Sequence, residues 1–138
     1  MQTSRDLTVS SDLDNLPFVL EFVRLCCLEA GLDDDATFAC ELATDEACTN
    51  IVEHAYQGRE GGKIYVRCQC TPEEFIVELH DNGAPFNPAQ VAPPQLVGDL
   101  ADREAGGLGL HLMRSLMDEV RFEFDGQNGN TVTMIKRL

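Results

Sequence analysis

Residues 40–56, CELATDEACTNIVEHAY, decide how this chain is read. As a helix, the stretch continues a stripe of Ala39, Leu42, Ala43, Ala47 and Ile51 at helical spacing. Glu46, Asn50 and His54 fall on that same stripe. An acid, an amide and an imidazole therefore lie along the face a core would claim, although polar groups are costly to bury without partners. Either the stripe runs to a solvated helix edge, or it borders a site. Glu46 and Asn50 are one turn apart and can share a ligand. The asparagine carbonyl is a hard oxygen donor suited to Mg²⁺, and the carboxylate can orient and deprotonate a hydroxyl.

Outward from this helix, the pattern places the other elements. Residues 6–11 alternate like a short strand, and a first helix follows, with Leu16, Leu20, Val23 and Cys27 at helical spacing and Gly31 as its stop. Residues 63–70 and 73–81 read as two strands joined at Thr71 and Pro72. The next segment carries Pro85, Pro88, Pro93 and Pro94 without a sustained period, so it reads as a long binding loop, with a lid at about 87–106. Residues 108–120 suggest a third helix, with Leu108, Leu112, Ser115 and Leu116 on one side, and a closing hairpin turns within DGQNGN. Strands grouped as hairpins, rather than separated singly by helices, predict an α+β fold. The expected architecture is one domain over residues 1–138: a two-layer sandwich whose mixed, mostly antiparallel sheet carries helices on one face.

Composition sets limits on function. The 138 residues carry 24 acids against 10 bases, a formal charge of −14, which argues against binding nucleic acid through its phosphates and favours a basic protein partner. No apolar run approaches a membrane span, and MQTSRDLTVSSD has no apolar segment of the signal-peptide kind, so a cytoplasmic protein with no membrane partner is expected. Six cysteines form no C-x-x-C pair and read as small buried or half-buried thiols.

Two further stretches carry chemistry. HDNGAPF follows an apolar strand, so Asp81 sits at a strand end where its carboxylate can accept a hydrogen bond from an exocyclic amine. Gly83 would let a flat ring approach the backbone. An Asn-Gly hairpin turn is the plain alternative, but the proline-rich segment that follows supplies no second strand. EAGGLGLHLM opens a helix with glycines, and free N–H groups at a helix start attract anions. Close packing is the commoner reason for such glycines. The stretch lacks the lysine of a P-loop and the spacing of a dinucleotide fingerprint. Thr131 and Thr133 share one side of the last strand, as β propensity alone would allow.

Taken in order, EACTNIVEHAY, DNGAPFNP and GGLGLHLMRSLMDEV resemble the N, G1 and G2 boxes of the GHKL ATPase and kinase superfamily, whose fold is the Bergerat ATP-binding sandwich. The finer resemblance is to its anti-sigma-factor serine/threonine kinases, and the closing GNTVTMIKRL fits it too. That resemblance implies ATP and Mg²⁺ as cofactors, Glu46 as the base orienting an acceptor serine, and Asn50 as the Mg²⁺ ligand. It implies Asp81 on the adenine amine with Gly83 beside the ring. Gly107, Gly109 and Leu110 at the helix start would cradle phosphates, with His54 and Thr131 near the nucleotide. The implied partners are a sigma factor and an anti-anti-sigma factor with a STAS domain, the chain itself being a homodimer. The basic residue that often accompanies the G2 glycines is missing, which leaves phosphate neutralisation to Mg²⁺, His54 or Arg103. A nucleotide-dependent binding module without kinase activity and a detached histidine-kinase catalytic domain are the alternatives.

Overall fold

The protein is described by a computed structural model covering residues 3–57, 61–84, 107–125 and 127–138. The expected lid lies outside these residues, as does Arg103. Within them run β1 (Thr3–Ser10), α1 (Leu16–Ala30), α2 (Asp34–Asn50), β2 (Lys63–Cys70), β3 (Glu74–Asp81), α3 (Gly107–Leu116), β4 (Glu119–Asp125) and β5 (Gly129–Arg137). The five strands form one sheet in the order β1-β2-β3-β5-β4, antiparallel at every pairing. This is the α+β sandwich the pattern predicts, except that the sheet among the described residues is wholly antiparallel rather than mixed, each strand joining a hairpin neighbour or an edge without a parallel crossover.

Local chemistry starts and stops the helices. The Asp33 side chain accepts from the Ala36 amide at 2.8 Å and caps α2, whose first turn adds Asp34 and Asp35 at the positive end of the dipole. Gly31 ends α1 in the left-handed region at φ 83°, and the Leu32 amide returns to the Cys27 carbonyl at 3.0 Å. In the sheet, period-two alternation turns Ile64, Val66 and Cys68 of β2 and Phe75, Val77 and Leu79 of β3 inward. These pack with Val19 and Val23 of α1 and Met113 of α3 into one core.

Two helix faces differ from expectation. In α1 the buried residues are Val19, Val23, Cys26 and Cys27, while Leu16 and Leu20 are only half-buried. In α3 they are Leu110 and Met113, followed by Met117 just past the helix; Ser115 is exposed, and the helix ends at Leu116 rather than at residue 120. Leucines at 108, 110 and 112 make both sides of α3 apolar, so period alone cannot choose between them. Lys136 Nζ donates to the Leu116 carbonyl at 2.9 Å and helps satisfy the helix end.

The cysteines are free, and all but the half-buried Cys70 are buried. Burial pushes the Cys48 thiol up to about 12 and also raises Cys26, which keeps both as unreactive core groups. No helix among the described residues is long and apolar enough to cross a membrane.

The β4–β5 turn depends on Gly129, at φ 90°. A Cβ there would meet the Asp81 carbonyl oxygen at 2.2 Å. Gly129→Ala is expected to cost at least about 2 kcal/mol, because conformational strain and a backbone clash act together. Urea denaturation should show a lowered midpoint with an unchanged slope; an unchanged midpoint would contradict the geometry.

Candidate functional site

The alanine stripe of α2 behaves as its spacing predicts. Ala39, Ala43, Ala47 and Ile51 are buried, whereas Leu42, Glu46, Asn50 and His54 are half-buried along the edge of that stripe. At residue 51 the helix widens into a π turn, Ile51–Ala55, closed by the Tyr56 amide on the Ile51 carbonyl at 3.0 Å. Helical periodicity gave no warning of this change. His54 sits on the turn. The turn leaves the Ala55 carbonyl to accept from the Ala84 amide at 2.7 Å, and that bond holds the end of β3 against α2. The Tyr56 hydroxyl strengthens the same junction, donating to the Lys63 carbonyl at 2.7 Å and accepting from the Asn82 amide at 2.8 Å.

Asp81 closes β3 on the inward face and is only 4% exposed. Its Oδ1 accepts from Asn130 Nδ2 at 2.8 Å and from the Gly83 amide at 2.9 Å. Burial raises its pKa, more than these two bonds lower it. Asn130, opposite Asp81 on β5, is 5% exposed, and its Oδ1 is buried with no hydrogen-bond partner among the described residues. Asn50 Nδ2 is likewise buried without a partner. Such atoms are rare in native proteins because each costs its full desolvation. Here an orphan acceptor and an orphan donor line one cleft that opens to solvent.

The cleft runs between α2 and the inner face of β3, β5 and β4. Ala47, Ile51, Ala55 and Met113 give it apolar walls, and Phe122 and Phe124 lie on its β4 side. Apolar walls with a few convergent polar groups suit a flat heteroaromatic ligand.

The start of α3 supplies the adjoining part of the site. A Cβ on Gly109 would lie 2.7 Å from Glu46 Oε2 and 3.9 Å from Asn50 Nδ2, so the first turn of α3 lies directly against both side chains. The first backbone N–H groups of that helix, from Gly107 onward, have no carbonyl partners within it and mark the positive end of its dipole. Glu46 is held above the ordinary carboxylate range, chiefly by burial and then by Asp45 and Glu53. A carboxylate raised in this way is a better proton acceptor near neutral pH. No group of three or more His, Cys, Asp or Glu among the described residues could hold a metal alone.

Three expected site residues take different places. Gly83 does lie beside Asp81, but the space a side chain would need there is filled by the π turn: a Cβ would meet the Ala55 carbonyl oxygen at 2.4 Å. Leu110 is a core residue by its side chain, so only its backbone N–H remains for a ligand. Thr131 borders the cleft, yet its hydroxyl is hydrogen-bonded to His80 Nδ1 at 2.8 Å on the opposite face of the sheet. The β5 residue whose side chain enters the site is its neighbour Asn130. The information was present in the strand, since any register that turns Val132 and Met134 inward also turns Asn130 inward.

Comparison with known proteins bears on this arrangement. A family model described as the histidine kinase-like ATPase domain matches residues 9–136. The chain is similar to the serine-protein kinase RsbW of Listeria innocua, with 34% identity over 113 residues that cover 79% of this chain and 71% of the relative. It is also similar to the serine/threonine-protein kinase BtrW of Bordetella bronchiseptica, 37% identical over 97 residues, 70% of this chain and 68% of the relative. A serine-protein kinase RsbW of Bacillus pumilus shares 39% identity over 104 residues, 71% of this chain and 63% of that protein.

Proposed function

Because the chain belongs to the histidine kinase-like ATPase domain family, we propose that it binds ATP in the cleft between α2 and the sheet and transfers its terminal phosphoryl group to a protein serine. The single observation that carries this reading is the pair of orphan atoms, Asn50 Nδ2 and Asn130 Oδ1, facing one apolar-walled cleft that also holds Asp81. A ligand with an aromatic ring, an exocyclic amine and a polyphosphate tail satisfies both ends at once.

Roles follow from position. Asp81 and Asn130 present acceptors for the amine edge of adenine, and Ile51, Ala55 and Met113 exclude water from its faces. Asn50 would hold Mg²⁺ through its carbonyl oxygen, and the N–H groups at the start of α3 would take phosphate. Mg²⁺, when bound, supplies the charge neutralisation that this acidic chain cannot. Glu46, touching that helix start, orients and deprotonates the attacking serine hydroxyl. Phosphoryl transfer depends mainly on positioning and electrostatics, so the base carries a modest part of the rate.

The resemblance to anti-sigma kinases supports a finer reading: the acceptor serine lies on an anti-anti-sigma factor of STAS type, and the chain, as a homodimer, sequesters a sigma factor. Calorimetric titration of ATP with Mg²⁺ and with chelator, followed by label transfer from γ-labelled ATP to a STAS-domain protein, tests both parts. Absence of ATP binding by the folded protein would refute the reading.

Gly109 offers a sharper test, because the atom its missing Cβ would strike is the mobile end of Glu46. Gly109→Ala should fold as well as wild type, or better by up to about 1 kcal/mol, since alanine is the stronger helix former. Transfer should nonetheless fall at least about tenfold as the carboxylate is pushed aside. A melt and a transfer assay on one preparation separate the two effects; a stable variant with full transfer activity would remove Glu46 from the mechanism.

A further inference from the structure

The outer side of the helical layer carries apolar surface that the nucleotide cleft does not explain. Among the described residues, seven large hydrophobic side chains are exposed, and five of them lie between residues 13 and 38: Leu13, Phe18, Leu25, Leu28 and Phe38. Phe18 and Phe38 are the most open, at 66% and 63%. On α1, positions 18, 25 and 28 fall on one face at spacings of seven and three, a stripe about 15 Å long at 1.5 Å per residue. The opposite face of α1 is already spent on the core through Val19, Val23 and Cys27. α1 is therefore apolar on both sides, which packing within this fold does not require.

The charge around the stripe selects the occupant. Residues 12–41 hold eight acids (Asp12, Asp14, Glu21, Glu29 and Asp33 among them) against one base, Arg24. Arg24 is already paired to Glu21, with Nε to Oε2 at 3.0 Å, and Arg5 of β1 is paired to Glu29 at 2.6 Å. Among the described residues, no unpaired basic side chain remains on residues 12–41 to meet an acidic partner. A second copy would bring the same acids against these, and an anionic lipid or nucleic acid would be repelled in the same way. We infer that the Phe18–Leu25–Leu28 face of α1 is a docking surface for a basic amphipathic helix of a protein partner. Its apolar side covers the stripe, and its lysines and arginines meet the acidic rim. This goes beyond the nucleotide reading and would hold even for a chain that never bound ATP.

The test uses the full chain and an 18-residue amphipathic peptide of leucine and lysine, with a peptide of identical leucine pattern carrying glutamate as control. Titration at physiological salt is expected to show binding of the lysine peptide alone. The double substitution Phe18→Ser with Leu25→Ser should weaken it at least tenfold, and Glu21→Lys should do the same, while ATP titration and the thermal melt stay unchanged. Both serines replace exposed side chains, so folding should survive; if the melt fails, Glu21→Lys still decides. Several results would overturn the inference. These are no binding of the lysine peptide, equal binding of both peptides, or equal binding by the serine variant, which would mean charge alone. Sedimentation showing a dimer that the serine pair dissociates would assign the face to a second copy, and flotation with phosphatidylcholine vesicles abolished by the same pair would assign it to a membrane.

Discussion

Glu46→Gln is expected to bind ATP within about twofold of wild type while transferring phosphate to protein about 100-fold more slowly, the lower part of the range for loss of a general base. The substitution keeps the volume beside Gly109 and removes only the charge and the proton-accepting power. The same variant makes a second, independent prediction about stability. Burial, then Asp45 and Glu53, raises the Glu46 pKa in the folded chain. Between the unfolded and folded pKa values the native state therefore binds more protons than the unfolded state, and stability falls as pH rises through that window. Above it, at neutral pH, the ionised carboxylate costs folding energy that glutamine does not. Glu46→Gln should accordingly be more stable than wild type near pH 7, with the advantage vanishing below pH 4. A denaturation series across pH reads this directly. Equal stability at both pH values would show that the site stores no electrostatic cost.

Such a cost is what makes the residue conspicuous in the sequence. Glu46, Asn50 and His54 disagree with the alanine stripe on which they fall, and in the structure all three are half-buried at its edge, Asn50 lining the cleft and Glu46 lying against the start of α3. The strands were legible for a similar reason: β2 and β3 carry apolar residues at alternate positions. What could not be read was whatever depends on contacts between elements. The π turn at Ile51–Ala55 goes with a contact that no local pattern encodes, the Ala55 carbonyl accepting from the Ala84 amide 29 residues away. The buried side of α3 was ambiguous because leucines occupy both sides and only α2 and the sheet choose between them. Gly83 reads from sequence as room for a flat ring, and the structure adds a reason the sequence could not show, the Ala55 backbone that a side chain there would meet. Asn130, whose side chain shares the inward face of β5 with Val132 and Met134, follows from strand alternation, whereas Thr131 comes only from the resemblance.

Asp81→Asn should weaken ATP binding about 100-fold, or roughly 3 kcal/mol, the scale of a hydrogen bond to a charged group lost in a buried site. The amide oxygen can still accept from Asn130 Nδ2 and the Gly83 amide, so the fold around β3 has no reason to collapse. The new amide nitrogen, however, replaces an acceptor with a donor where the adenine amine also donates. Protonation of wild-type Asp81 has a related effect, and because burial raises its pKa, that effect begins above the ordinary aspartate range. ATP affinity of wild type should thus decline as pH falls from neutral through that raised value, whereas Asp81→Asn should be weak with little dependence on this titration. Stability of the ligand-free protein should move the other way. The raised pKa means that the native state loses stability as pH rises through it, so Asn at 81 should be no less stable than Asp at neutral pH. Calorimetry at several pH values, alongside melts of both proteins, distinguishes a lost ligand contact from a lost fold. Retained affinity in a folded Asp81→Asn protein would move the adenine edge away from β3 and leave Asn130 without its assigned partner.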